Sequence, residues 1–446
     1  MDPDFILKFV LSFSWLEYLW ESYLGKRQRV IYVEKVKPPK ELSGILSESE
    51  YEKSRLYALD RSVFGSYQGL FSQVLGTLLV AFQGFRFVWG SVDTGDELST
   101  SLLYILCFNV LQTILGIPWV IYQTFVLEEK HGFNKQTPLF FAKDQIKKFI
   151  ISQVIMMPLM TVIIKIIHYG GDYFFIYLWL FTLCFTLIMM IIYPEFIAPL
   201  FDKYIPLPEG DLRTQIEDLA SSVHFPLYEL FVVEGSKRSS HSNAYFYGFF
   251  NFKRIVLFDT LLEDSERKKV KEIIGSSNEE DEKKEEEEEE AGKGCGTSEI
   301  LAVLAHELGH WKLNHVFKNI VIMQFQILAM FALFKYLYQD QSLYSAFGFT
   351  DEKPVIVGLM IIFQLITAPV NTLLNFLMTV LTRKFEFQAD AFAANLGKSK
   401  ELISALIKLN KDNKGFPIFD PLYSAWNHSH PPILERIRVL EELKRD

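Results

Sequence analysis

Apolar residues in this chain come in long uninterrupted blocks, not in the alternation of half-buried strands or the stripe of soluble amphipathic helices. Seven blocks, at residues 5–24, 63–89, 102–126, 149–168, 174–193, 320–337 and 355–381, can cross a bilayer core, which takes about 20 residues of helix. One such block alone would also read as a buried core helix. Seven in one chain predict a mostly α, polytopic membrane protein. The long connection between the fifth and sixth blocks differs: residues 229–234 (ELFVVE), 243–250 (NAYFYGFF) and 253–259 (KRIVLFD) read as short strands joined by turns.

Charge then orients the blocks, because Lys and Arg beside spanning helices stay on the cytosolic side. Nine basic residues from Lys26 to Arg61 follow the first block, and five lysines from Lys130 to Lys148 follow the third. The connections after the second, fourth and sixth blocks hold Asp93, Asp96, Glu97, Asp172, Asp340, Asp351 and Glu352 against Lys353 alone. The N-terminus is therefore expected in a lumen or outside, with the strand-bearing connection and the C-terminal tail in the cytosol. An acidic start without a small-residue cleavage pattern points to a retained anchor, not a removable signal peptide. The expected organisation is helices 1–5 over residues 1–193, a cytosolic catalytic region over 194–315, helices 6–7 over 316–381, and C-terminal cytosolic helices over 382–446.

The net charge of -9 is local in origin. Residues 279–290 hold ten acids and two lysines, without which the 54 acids and 45 bases fall to 44 and 43. Such a balance excludes a basic field for nucleic acid. Residues 276–296 are expected to form a solvated, disordered, non-catalytic insert. Cys107, Cys184 and Cys295 stand too far apart for a CxxC site, so any metal must use histidine and carboxylate.

Those residue types occur after the insert. SEILAVLAHELGHWKLNH has a helical pattern, with Ser298 the expected N-cap, and sets His306 and His310 about 40° apart on one helix face, where both imidazoles can chelate one tetrahedral Zn²⁺. Glu307 is one step around, placed to take the proton of the attacking water as general base. A surface helix with two solvated histidines would carry the same string; its position between a strand-rich segment and a spanning block argues against that.

A catalytic zinc needs a third protein ligand. The extended HExxHxxGxxH form fails, with Leu313 and Val316 at the required Gly and His positions. His315, about 140° around a continuous helix from His310, is expected to be solvated or capping. Glu386 and Asp390, four apart among Phe385, Phe387 and Phe392, are the stronger candidates: Glu386 as ligand, Asp390 as acceptor from a ligating histidine. Pairing with Arg383 and Lys384 as ordinary surface charges is the competing account. In NHSHPPILER, His430 and Arg436 are suited to stabilising an oxyanion or to a purely structural role. Asn427 to Ser429 also spells a glycosylation acceptor, on the side where it would stay unmodified.

Together HELGHW, FEFQADAFA, KRSSHSNAYFYGFF and WNHSHPP resemble the integral-membrane zinc CaaX prenyl proteases, the type that processes yeast a-factor precursor and animal prelamin A, and an animal member in particular. The resemblance implies seven helices in a barrel around a water-filled chamber, capped by a cytosolic α+β zincin-like catalytic domain. It implies one zinc on His306, His310 and Glu386, Glu307 as base, His430 on the oxyanion side, Asp390 and Arg436 in support, and strand pairing of an extended peptide at Asn243 and Ala244. The implied reaction removes three residues after a prenylated cysteine, with a second upstream cut in prelamin A, in the endoplasmic reticulum and inner nuclear membrane. A non-catalytic seven-helix channel, receptor or transporter would bind no zinc and leaves Glu386, Asp390 and His430 unexplained. An intramembrane-cleaving protease fits poorly, since Lys312, Asn314 and Lys318 flank the motif at a membrane border.

Overall fold

The computed structural model describes residues 2–39, 46–248, 252–274 and 293–443. It opens with α1 (Pro3–Glu34) and α2 (Glu48–Ala81), the latter started by a reciprocal cap in which Ser47 Oγ accepts from Glu50 N and Glu50 accepts from Ser47 N. The second apolar block is not one helix. The chain turns at Gln83, in the left-handed region at φ 53, and resumes as α3 (Gly84–Ser91). α4 (Glu97–Tyr122) runs on through a π-turn at Gln123–Glu128. α5 (Pro138–Tyr169) and α6 (Phe174–Ile192) follow, α6 continuing through a second π-turn at Tyr193–Ile197.

The sheet comes next: β1 (Tyr204–Pro206), α7 (Asp211–Ser222), β2 (Leu227–Val233), β3 (Ala244–Tyr247), β4 (Lys253–Phe258), α8 (Asp264–Ile274) and α9 (Thr297–Lys312). Its order is β1-β2-β4-β3, with β2 parallel to β4 (Phe231 opposite Val256) and β3 antiparallel to it (Ala244 opposite Leu257). The three expected strands form, the second only over Ala244–Tyr247, with residues 249–250 of that expectation outside the described residues. β1 was not legible, because three residues carry no period. Ile216 of α7, Leu230, Val232, Ile255 and Leu257 of the sheet, and Leu304 and Leu308 of α9 share one core, each burial worth about 1.5–3 kcal/mol.

Two local expectations are corrected here. α9 starts at Gly296, not Ser298: the Gly296 N–H donates to Glu299, whose carboxylate is in turn held by Ser404 and Lys408. Residues 276–292 lie outside the described residues, but 293–296 do not belong to a solvated insert. Cys295 is buried, its N–H donates to the Leu261 carbonyl, and burial pushes its thiol up to about 12.

After α9 come α10 (His315–Leu337), α11 (Gln341–Ser345), α12 (Val355–Met360), α13 (Ala368–Asn395), α14 (Ser399–Asp412), α15 (Pro421–Asn427) and α16 (Ile433–Leu443). The seventh apolar block breaks. A π-turn at Ile361–Ile366 and Pro369 in the first turn of α13 bend the path by 58°.

Among the described residues, five helices are long and apolar enough to cross a membrane: α2, α4 and α6 with their continuations, α5 and α10; the bent α12–α13 pair makes a sixth. The expected first span is long enough but charged, with Lys8, Glu17 and Glu21 inside it. Its acids have protein partners: Glu17 accepts from Thr372 Oγ1 of α13 at 2.6 Å, and the exposed Glu21 from Trp426 Nε1 of α15 at 2.5 Å.

Candidate metal centre

α9 and α13 are drawn together because neither has bulk where they touch. A Cβ on Gly309 would stand 3.1 Å from Ala389 Cα and from Phe392 Cβ. Gly309, within the motif itself, is a site residue that sequence reasoning passed over; its place between the two motif histidines was its only signal.

That close approach sets Glu386 opposite the histidines. His306 Nε2 and His310 Nε2 are 3.2 Å apart, and Glu386 places Oε2 3.6 Å from the first and Oε1 3.3 Å from the second. One donor atom from each of the three lies within 4.8 Å of the others. Glu386 is 2 % exposed, and its Oε2 faces His430 Nδ1 at 2.9 Å and Arg436 Nη1 at 3.6 Å as well as His306. A buried carboxylate converging with two imidazole nitrogens is a donor set that fits a divalent cation.

Both histidines are held from behind. Asp390, fully buried, sits 2.9 Å from His306 Nδ1 and is gripped by Arg436 of α16 through two bonds of 2.8 and 2.6 Å. The surface-charge account of Glu386 and Asp390 is thereby excluded, since Arg383 bonds to Glu435 at 2.7 Å instead. His310 Nδ1 meets His315 Nδ1 at 3.0 Å, and His315 Nε2 meets Gln388 Oε1 at 3.0 Å. His315 is thus neither solvated nor a cap: it is 2 % exposed and stacked on Phe385. The expectation assumed one continuous helix, but α9 ends at Leu313, Asn314 takes φ 57, and the chain folds His315 back toward the centre.

Glu307 lies within the fields of His306, His310, Glu386 and His430, and burial holds its carboxyl above the ordinary range despite the three histidines. The Glu386 carboxylate holds His430 above the usual imidazole value. Asn243 and Ala244 stand where β3, the edge strand, begins; the Ala244 N–H donates to the Asn243 side chain at 2.8 Å. His310 and residues Tyr245 to Gly248 line a cavity of about 1420 Å³, whereas His430 and Arg436 line another of about 680 Å³. The centre sits between them.

A His-His-Glu cluster on buried helices, beside an edge strand and among spanning helices, defines a membrane metallopeptidase. Residues 28–203 match the model described as CAAX prenyl protease N-terminal, five membrane helices, and residues 206–444 match peptidase family M48. The chain belongs to this family, whose membership implies a metal cofactor. It is 52% identical to a human CAAX prenyl protease 1 homolog over 98% of this chain and 95% of that one, and 45% identical to that of Caenorhabditis elegans over 99% and 98%. The crystal structure of S. mikatae Ste24p superposes with a TM-score of 0.87 at 33% identity, covering 98% of this chain and 99% of that chain.

Proposed function

We propose that this chain is a membrane zinc metalloendopeptidase that removes the C-terminal tripeptide of prenylated CaaX proteins, the substrate class in its relatives' names. The convergence of His306, His310 and Glu386 beside Glu307 carries the reading. These three residues would hold the metal, with imidazole and carboxylate donors suited to zinc. When bound, the metal supplies Lewis-acid polarisation of water and of the scissile carbonyl.

The remaining steps belong to the chain's own groups. Glu307 takes a proton from the attacking water, and its raised proton affinity suits it to return that proton to the leaving amine. His430, favoured in its charged form beside Glu386, is assigned to the oxyanion of the tetrahedral intermediate. Asp390 fixes the tautomer and ring orientation of His306, and Arg436 fixes Asp390. Substrate backbone pairs at the β3 edge from Asn243 and Ala244 onward, which binds an extended peptide with little regard to side chains. Prelamin A, with its second upstream cut, is the proposed substrate of note. The proposed setting is the endoplasmic reticulum and inner nuclear membrane, catalytic side cytosolic or nucleoplasmic and N-terminus luminal; the alternating loop charges support that orientation.

Mass spectrometry of a farnesylated CaaX peptide incubated with detergent-purified protein tests this. Release of the tripeptide by the native chain, but not by Glu307→Gln or a chelated sample, is expected. No cleavage by a fully metallated native chain removes the substrate class.

A further inference from the structure

The bond cut in a CaaX end has unlike chemistry on its two sides: a lipid-bearing cysteine on one, three residues and a free carboxylate on the other. The two cavities flanking the metal centre differ in the same sense. The larger is walled by Ile151, Ile155, Phe185, Met189 and Met190 of α5 and α6, and its cations are occupied: Lys148 and Arg238 both pair with Asp144, and Lys253 donates to the Gly248 carbonyl. β3 runs into this cavity, so a paired peptide is led there on one side of the cut.

The smaller cavity, on the His430 side, holds Arg61 of α2. Arg436 in the same wall is committed to Asp390, and Lys414 donates to the His131 carbonyl. Arg61 is exposed; it lies in the field of Glu128 and beside the Tyr57 hydroxyl, but among the described residues no carboxylate forms an ion pair with it within 4.0 Å. Its guanidinium rests over the Tyr57 ring at 5.4 Å, while the Tyr57 hydroxyl donates to Glu128. The Tyr57 platform therefore presents a planar, permanently charged fork at the cavity wall. Three extended residues reach about 10 Å, and Arg61 shares the lining of this cavity of about 680 Å³ with His430.

We propose that Arg61 binds the free α-carboxylate of the aaX tripeptide, so that the prenyl chain enters the larger cavity and the chain terminus the smaller. Arg61 is then a specificity-determining residue, measuring three residues from the scissile bond to the end of the substrate. This rests on the CaaX reading above.

The test compares two farnesylated peptides, identical except for a C-terminal carboxylate or carboxamide, cleaved by the full-length protein. The native chain is expected to favour the acid in kcat/KM by about 10- to 100-fold, the worth of a charge-assisted pair in a confined site. In Arg61→Gln that ratio collapses toward one, and Arg61→Lys restores part of it. Using the ratio within each protein removes any loss of folded enzyme. A native ratio near one, or a ratio preserved in Arg61→Gln, overturns the assignment. Cleavage of neither peptide by the native chain removes the CaaX reading itself, and the assignment with it.

Discussion

His306 Nδ1 stands 2.9 Å from Asp390 Oδ1, a contact between the helix that carries the motif and the helix that carries the third candidate ligand. Because Asp390 is fully buried and doubly bonded to Arg436, its removal leaves His306 unoriented and frees Arg436 to pull on Glu386, whose Oε2 lies 3.6 Å from Nη1. Asp390→Asn is expected to weaken zinc affinity by about 10- to 100-fold, with Arg436→Ala moving in the same direction. Metal titration against a competing chelator measures both; native affinity in Asp390→Asn would remove the orienting role.

Glu307 and Glu386 should separate cleanly. Glu307→Gln keeps the bound metal and loses turnover by at least about 100-fold, the contribution of a positioned general base. Glu386→Ala loses the metal and activity together. Elemental analysis beside the peptide assay reads both, and stoichiometric zinc in Glu386→Ala would exclude it as a ligand.

A Cβ at Gly309 would crowd Ala389 and Phe392 at 3.1 Å, and a branched side chain would crowd them further. Gly309→Val should force α9 and α13 apart, costing about 1–3 kcal/mol and lowering metal occupancy before the membrane helices melt. Thermal unfolding with and without excess zinc checks this; a native melting temperature with full occupancy would mean the contact tolerates a branched side chain.

His428 packs against Phe419 and Tyr423, and burial holds it near pH 4, below the ordinary imidazole value of 6.5. Between those values the unfolded chain binds the extra proton and the folded chain does not, so folding weakens as pH falls from 6.5 to 4. His428→Gln should flatten that part of the stability profile. Melting temperatures across this pH range in detergent decide it, and an unchanged slope would assign the acid sensitivity elsewhere.

Sequence pattern placed His306, His310 and Glu386 on helix faces that the structure brings together, because HELGH and FEFQAD each carry a helical spacing; the choice of Glu386 as a candidate ligand leaned on the family resemblance as well. It reached the spans for the same reason, since apolar length is read directly. It failed where one residue redirects the backbone. Asn314 ends α9 and turns His315 inward, Gln83 splits the second apolar block, and Pro369 with the preceding π-turn bends the seventh. α1 is the most charged of the expected spans, and Thr372 and Trp426 meet its glutamates from distant parts of the chain.

The bend before α13 has a consequence for how the protein is made. Glu386, Asp390, His430 and Arg436 all follow it, whereas both histidines of the motif precede α10. A nascent chain that has emerged only as far as α12 offers two imidazoles and no carboxylate partner. The hydrolytic centre therefore comes into being only when the final helices have been synthesised and docked, and the unfinished chain has no active protease to turn on itself or its neighbours during membrane insertion.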